Sequence, residues 1–176
     1  GGGNVGGQGI NDGTGAYTNT NYSGTANLTR ASNMVFGDFN KDGKVDYVQS
    51  YINSASTPVA AFKLNLNTTT TPGTYTYTAP ATSITILGTN TTYVNSGIVS
   101  AVDYDGDGDL DFTIQGVNGT VPTTLLYLNG GEVNGTPTFT EAGFGLTGLQ
   151  YGGAEWADVN GDNKPDLIAF GYSDAT

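Results

Sequence analysis

The sequence predicts an all-β fold: short antiparallel strands in three successive units, each with one acidic loop between its first two strands. Three observations carry this. Glycine supplies 28 of the 176 residues, Thr and Asn are abundant and there are 11 tyrosines, a composition suited to short strands and tight turns. Eleven of the thirteen aspartates fall in three nine-residue windows. Each window is flanked by short apolar or β-branched runs that read as strands, while Leu, Glu and Lys are too scarce to build helical faces.

In chain order, Asp12-Gly-Thr-Gly-Ala-Tyr17-Thr18 reads as a turn and a strand. The first unit follows: Met34-Val-Phe36, the loop 38–46, Tyr47-Val48, Phe62-Lys-Leu-Asn65, a Thr-rich turn and Gly73-Thr-Tyr-Thr-Tyr-Thr78. The second unit has Ile98 to Val102, the loop 103–111, Phe112-Thr-Ile114, Leu125-Leu-Tyr-Leu-Asn129, a Gly-Gly turn and Thr136-Pro-Thr-Phe-Thr140. Of the third there is Ala154-Glu-Trp156-Ala157, the loop 158–166 and Leu167-Ile168-Ala-Phe170. The two chain ends thus read as different parts of one unit, with a strand like Leu125–Asn129 missing between them. The expectation is an excerpt of a longer array, or a subunit whose missing strands come from neighbouring chains. Residues 1–176 form one repeat domain on this reading.

The loops read Asp38-Phe-Asn-Lys-Asp-Gly-Lys-Val-Asp46, Asp103-Tyr-Asp-Gly-Asp-Gly-Asp-Leu-Asp111 and Asp158-Val-Asn-Gly-Asp-Asn-Lys-Pro-Asp166, starting 65 and then 55 residues apart. Aligned, they give D-x-[DN]-x-D-[GN]-x-x-D, an internal repeat. Calcium coordination needs this spacing, because a hard cation takes six to eight oxygens from a loop that curls around it. Side-chain oxygens come from the first, third, fifth and ninth positions: Asp38, Asn40, Asp42 and Asp46; Asp103, Asp105, Asp107 and Asp111; Asp158, Asn160, Asp162 and Asp166. The seventh position (Lys44, Asp109, Lys164) offers its backbone carbonyl, so its side chain is free to vary. Gly43, Gly108 and Asn163 at the sixth position tolerate the left-handed backbone of a sharp turn.

An EF-hand is excluded, since its twelfth position must be Glu and here holds Gln49, Ile114 and Ala169, with strands rather than helices on either side. Simple Asx-turns would need no metal. They give no reason to crowd three or four carboxylates together, where each pair at ~5 Å costs on the order of 3 kcal/mol at an effective dielectric of ~20.

These loops, the aromatic or aliphatic residue after each (Tyr47, Phe112, Leu167) and the hairpin at 126–140 resemble the FG-GAP/VCBS repeats of integrin α-chain-like calcium-binding β-propellers and of secreted microbial proteins. The likeness spans nearly the whole chain and is weakest over residues 51–97. It implies three propeller-like blades, one Ca2+ per loop, and a secreted or cell-surface location. Asn163 departs from the usual Gly, and Pro165 requires that its missing N–H not be needed. Since propellers close with four to eight blades, three imply a partial ring or one completed between subunits.

Composition narrows the function. A net charge of -11 with a pI near 4.1 makes nucleic acid an unsuitable partner. No run reaches the ~18 apolar residues of a membrane span. The absence of His and Cys removes imidazole bases, thiol nucleophiles, the common zinc sites and disulfides. Outside the loops the carboxylates are Asp12, Asp174, Glu132, Glu141 and Glu155, and no pair is spaced as an acid and base about a glycosidic bond. The expectation is therefore a non-catalytic, calcium-binding extracellular module for adhesion or structural assembly, associating with itself, into oligomers or filaments, or with another extracellular protein. The alternative is a carbohydrate-binding propeller, a lectin or an accessory domain of a polysaccharide-degrading enzyme, using its tyrosines against glycans. Sequons at Asn21, Asn27, Asn67, Asn90, Asn118 and Asn134 and the uncharged stretch 64–102 are compatible with a glycoprotein.

Overall fold

A computed structural model describes residues 7–11, 17–21, 33–52, 60–71, 76–78, 98–118 and 121–174. Among them there is no helix; every regular element is a strand in an antiparallel sheet. The elements are β1 (Gly7–Asn11), β2 (Tyr17–Asn21), β3 (Met34–Gly37), β4 (Asp46–Ile52), β5 (Ala60–Asn67), β6 (Tyr77–Thr78), β7 (Ile98–Val102), β8 (Asp111–Asn118), β9 (Val121–Val133), β10 (Thr136–Glu141), β11 (Gln150–Ala157) and β12 (Asp166–Tyr172).

They form two four-stranded meanders in sequence order, β3-β4-β5-β6 and β7-β8-β9-β10, and two hairpins, β1-β2 and β11-β12. Each acidic loop joins the first two strands of its sheet, as the strand-like flanks require. The first strands β3, β7 and β11 lie side by side, β3 against β7 and β7 against β11.

Residues on both faces of the central strands are buried, so β8, although its sequence alternates apolar and polar residues, hides both its Phe112/Ile114 face and its Thr113/Gln115 face. Phe112, Thr113, Ile114 and Gln115 are all buried in succession. The main cluster gathers Phe39, Val48, Phe62, Leu64, Val99, Phe112, Ile114 and Tyr127, drawn from both meanders. Edge strand β10 alternates instead, with Pro137 buried and Thr138 and Thr140 exposed.

Two expectations need correction. The strand expected to be missing between the two chain ends is present: β1 precedes the Tyr17 strand and pairs with it from Gly7↔Asn21 to Asn11↔Tyr17. Its sequence, Gly-Gln-Gly-Ile-Asn, carries one apolar residue in five and so gives no strand signal. The Gly-Gly pair is not the turn of its hairpin either. β9 runs through Gly130 and Gly131, which together face the single residue Thr138 in a bulge, with Gly131 at φ 82°. The turn is Asn134-Gly135, both at positive φ (53° and 74°), the pair that a two-residue hairpin favours. Of the other expectations, the turn at 12–16, residues 73–75 and 79–97, and the sequons at Asn27 and Asn90 lie outside the described residues.

Candidate metal-binding loops

All three loops fold by one hydrogen-bond scheme. The first-position carboxylate accepts the sixth-position amide: Gly43 N to Asp38 Oδ2 at 2.8 Å, Gly108 N to Asp103 Oδ2 at 3.0 Å and Asn163 N to Asp158 Oδ2 at 2.8 Å. The fifth-position carboxylate accepts the seventh-position amide, at 2.9 Å from Lys44 and Lys164 and 2.8 Å from Asp109. The ninth closes each loop by accepting the second-position amide: Phe39 N to Asp46 Oδ2 at 3.0 Å, Tyr104 N to Asp111 Oδ2 at 2.7 Å and Val159 N to Asp166 Oδ2 at 3.1 Å.

The sixth position is left-handed throughout, at φ 81°, 84° and 64° for Gly43, Gly108 and Asn163. So is the fourth, at φ 52°, 78° and 81° for Lys41, Gly106 and Gly161. That second requirement was missed in the sequence; Gly at two of three fourth positions was its signal, masked by Lys41.

Asp103, Asp105 and Asp111 each offer an oxygen within 4.8 Å of the others. Such a group can hold a metal ion. Asp107 is not part of it and instead caps Asp109 N. In the first loop, Asn40 carries a related signature. With its amide nitrogen turned inward it donates to Asp38 Oδ1 and Asp42 Oδ1, each at 3.2 Å; with its oxygen inward, three oxygens converge. A cation among them reverses which orientation is favoured.

In the first two loops the ninth position is the most deeply buried of the side-chain ligand positions. Asp46 and Asp111 are fully buried, and in each the second oxygen accepts a third-strand amide, Asn67 N or Asn129 N, at 2.8 Å. Burial pushes both carboxyls above their ordinary range despite those amides. By contrast, the exposed Asp158 is held below that range by the Asn163 amide and its neighbours. For Asp42, burial is outweighed by the ammonium and amide of Lys44, and its carboxyl also lies low.

The sign for pH follows from these directions. A carboxyl raised on folding binds its proton more tightly in the folded state, so Asp46 and Asp111 favour folding as pH falls from their folded pKa toward 3.8. Asp42 and Asp158, lowered on folding, lose their contribution below 3.8. Acidification from pH 7 to about 5 should therefore leave the metal-free chain at least as stable, whereas a cation-loaded chain should lose stability as protons compete for its ligands. Thermal melts across that range, with and without chelator, check the contrast.

The first two loops are tied together. Lys41 Nζ of the first loop lies 2.9 Å from Asp109 Oδ1 of the second. Asn129 Nδ2 donates to Phe39 O at 3.0 Å and to Leu110 O at 3.3 Å, bridging the two loops through a buried amide. Phe39 itself is fully buried, edge-on to Phe112 and Phe139 of the second meander at 6.4 Å each. Tyr104, its counterpart, packs on Phe144 and Trp156 at 5.3 and 5.6 Å. Glu155 next to Trp156 is exposed, and the Trp156 indole donates to Thr113 Oγ1 at 3.0 Å, so this pair serves packing between sheets. Replacing Phe39 by Ala should cost about 3–5 kcal/mol, measured by urea unfolding, because the cavity opens in the shared core.

Compared with known proteins, the chain matches no family model and no curated sequence. No helix among the described residues is long and apolar enough to cross a membrane.

Proposed function

We propose that the chain is a non-catalytic, calcium-binding module of the extracellular space, built of propeller-type blades of the FG-GAP/VCBS kind and serving adhesion or structural assembly. The observation that supports it best is the convergence of Asp103, Asp105 and Asp111 within 4.8 Å in a loop whose hydrogen bonds recur in two further loops. Hard carboxylate and carbonyl oxygens with no nitrogen or sulfur ligand suit Ca2+ over zinc or copper.

On this reading each loop takes one ion. The ligands are Asp38, Asn40, Asp42 and Asp46; Asp103, Asp105, Asp107 and Asp111; Asp158, Asn160, Asp162 and Asp166; with the backbone carbonyls of Lys44, Asp109 and Lys164. The middle loop has four carboxylates against three, and its seventh-position charge is already paired with Lys41. In the first loop, Lys44 Nζ sits 3.1 Å from Asp42 Oδ2 and competes with an ion for that oxygen. The middle site should therefore be the tightest. Calorimetric titration tests this: three ions per chain, and a loss of about tenfold or more in the tightest step for Asp107→Ala, larger than for Asp42→Ala or Asp162→Ala. Absence of calcium uptake overturns the reading.

A further inference from the structure

The hairpin β11-β12 and the hairpin β1-β2 carry complementary halves of one four-stranded sheet. In both meanders the third strand carries an Asn whose backbone amide reaches the ninth-position carboxylate, Asn67 to Asp46 and Asn129 to Asp111. That Asn also pairs across the next strand with an aromatic residue, Asn67↔Tyr77 and Asn129↔Phe139. β1 ends in Asn11, paired with Tyr17. By register, β1-β2 is thus a third and fourth strand, and β11-β12, with its acidic loop, a first and second.

Asp166 lacks the partner its counterparts have. One oxygen takes Val159 N, but no third strand lies beside β12 among the described residues. The face of β12 that carries Ile168 and Phe170 is open too, at 51% and 68% exposure. Its counterpart on β8 is Thr113 and Gln115, both fully buried and bonded to the following hairpin through Trp156 Nε1 and Phe170 O. Val159 is 61% exposed, whereas Phe39, at the same place in the first loop, is wholly covered by the next sheet.

We infer that β1 of a second copy of this chain pairs with β12, completing the sheet. The template fixes the register. Tyr47 pairs with Asn65 and Phe112 with Tyr127, in each case two residues before the Asn. Leu167 therefore pairs with Gly9, Ile168 with Gln8 and Ala169 with Gly7, and the Asn11 amide reaches the open oxygen of Asp166. The sheet β3-β6 follows β2 in that same copy and covers Ile168, Phe170 and Val159, as the second meander covers Phe39. Because the two surfaces differ, the contact is head-to-tail and generates a ring or a filament. The inference deepens the assembly part of the proposed function and rests on it, but not on the identity of the cation.

The chain has no cysteine, so disulfide trapping is clean. Directly opposed strand residues have Cα atoms about 4.5–5.5 Å apart, within disulfide range. Mixing Gln8→Cys with Ile168→Cys protein under mild oxidation should give abundant disulfide dimers. Gln8→Cys mixed with Val133→Cys should give few. Light scattering of the unmodified chain should show a multiple of 18.1 kDa, reduced to the monomer by Ile168→Lys with Phe170→Lys. A monomeric unmodified chain with no 8–168 dimer overturns the inference, as does a double-cysteine chain that closes the bond within itself. Calcium titration of the same samples separates the two readings: uptake by a monomer defeats the pairing alone, and cross-linking without uptake defeats the calcium site alone.

Discussion

Adding calcium to the metal-free chain should raise its melting temperature by many degrees, and chelator should reverse it. Sixteen acidic groups against five basic ones already leave the fold repelling itself, and eleven of the acids sit in three short loops. Where Asp103, Asp105 and Asp111 bring oxygens within 4.8 Å, each charged pair costs on the order of 3 kcal/mol at an effective dielectric of ~20. Loop amides offset part of this, but most are single bonds to exposed oxygens and contribute about 1 kcal/mol each. A cation removes the repulsion outright. At ~100 times its dissociation constant, one ion adds about 2.7 kcal/mol, or roughly 5–11 °C for a chain of this size. Three ions carry six positive charges and would bring the net charge of -11 to -5. Differential scanning calorimetry in calcium, magnesium and chelator measures it. A melt indifferent to calcium would remove the metal from the account.

How much of this was legible in the sequence differs by feature, for physical reasons. The loops were legible because their spacing encodes ligand geometry locally: nine residues set the carboxylates, and Gly or Asn marks the sixth-position turn. The left-handed fourth position was obscured at Lys41, a residue that tolerates that backbone at a cost of about 1–2 kcal/mol and whose ammonium is used across the loop boundary on Asp109. β1 was missed because Gly7 and Gly9 carry no side chain to alternate; only its pairing with β2 reveals it. The Gly130-Gly131 bulge looked like a turn because both need glycine, whereas Asn134-Gly135 held the stronger hairpin signal. The distinction between ninth-position carboxylates was invisible to the motif. Asp46, Asp111 and Asp166 are identical in the loop pattern, and only a third strand makes the first two buried.

That distinction sets the second large effect. In chelator, Asp111→Ala should destabilise the chain by about 3–5 kcal/mol, while Asp166→Ala should cost no more than about 1 kcal/mol. Asp111 is wholly buried and accepts Tyr104 N at 2.7 Å and Asn129 N at 2.8 Å, so its truncation orphans two amides next to the core around Phe112. Each orphaned buried donor costs about 1–3 kcal/mol. Removing a carboxylate that burial has already pushed toward its protonated form returns part of that loss, which keeps the total below the sum of two full penalties. Asp166 accepts one amide, Val159 N at 3.1 Å, at an exposed site where water replaces the carboxylate. Asp111→Asn keeps one acceptor but turns a donor toward the second amide, and should fall between the two. Urea unfolding of the three variants in chelator decides it. Equal losses for Asp111→Ala and Asp166→Ala would mean that the third-strand amide does not anchor the loop, and the burial argument would fail with it.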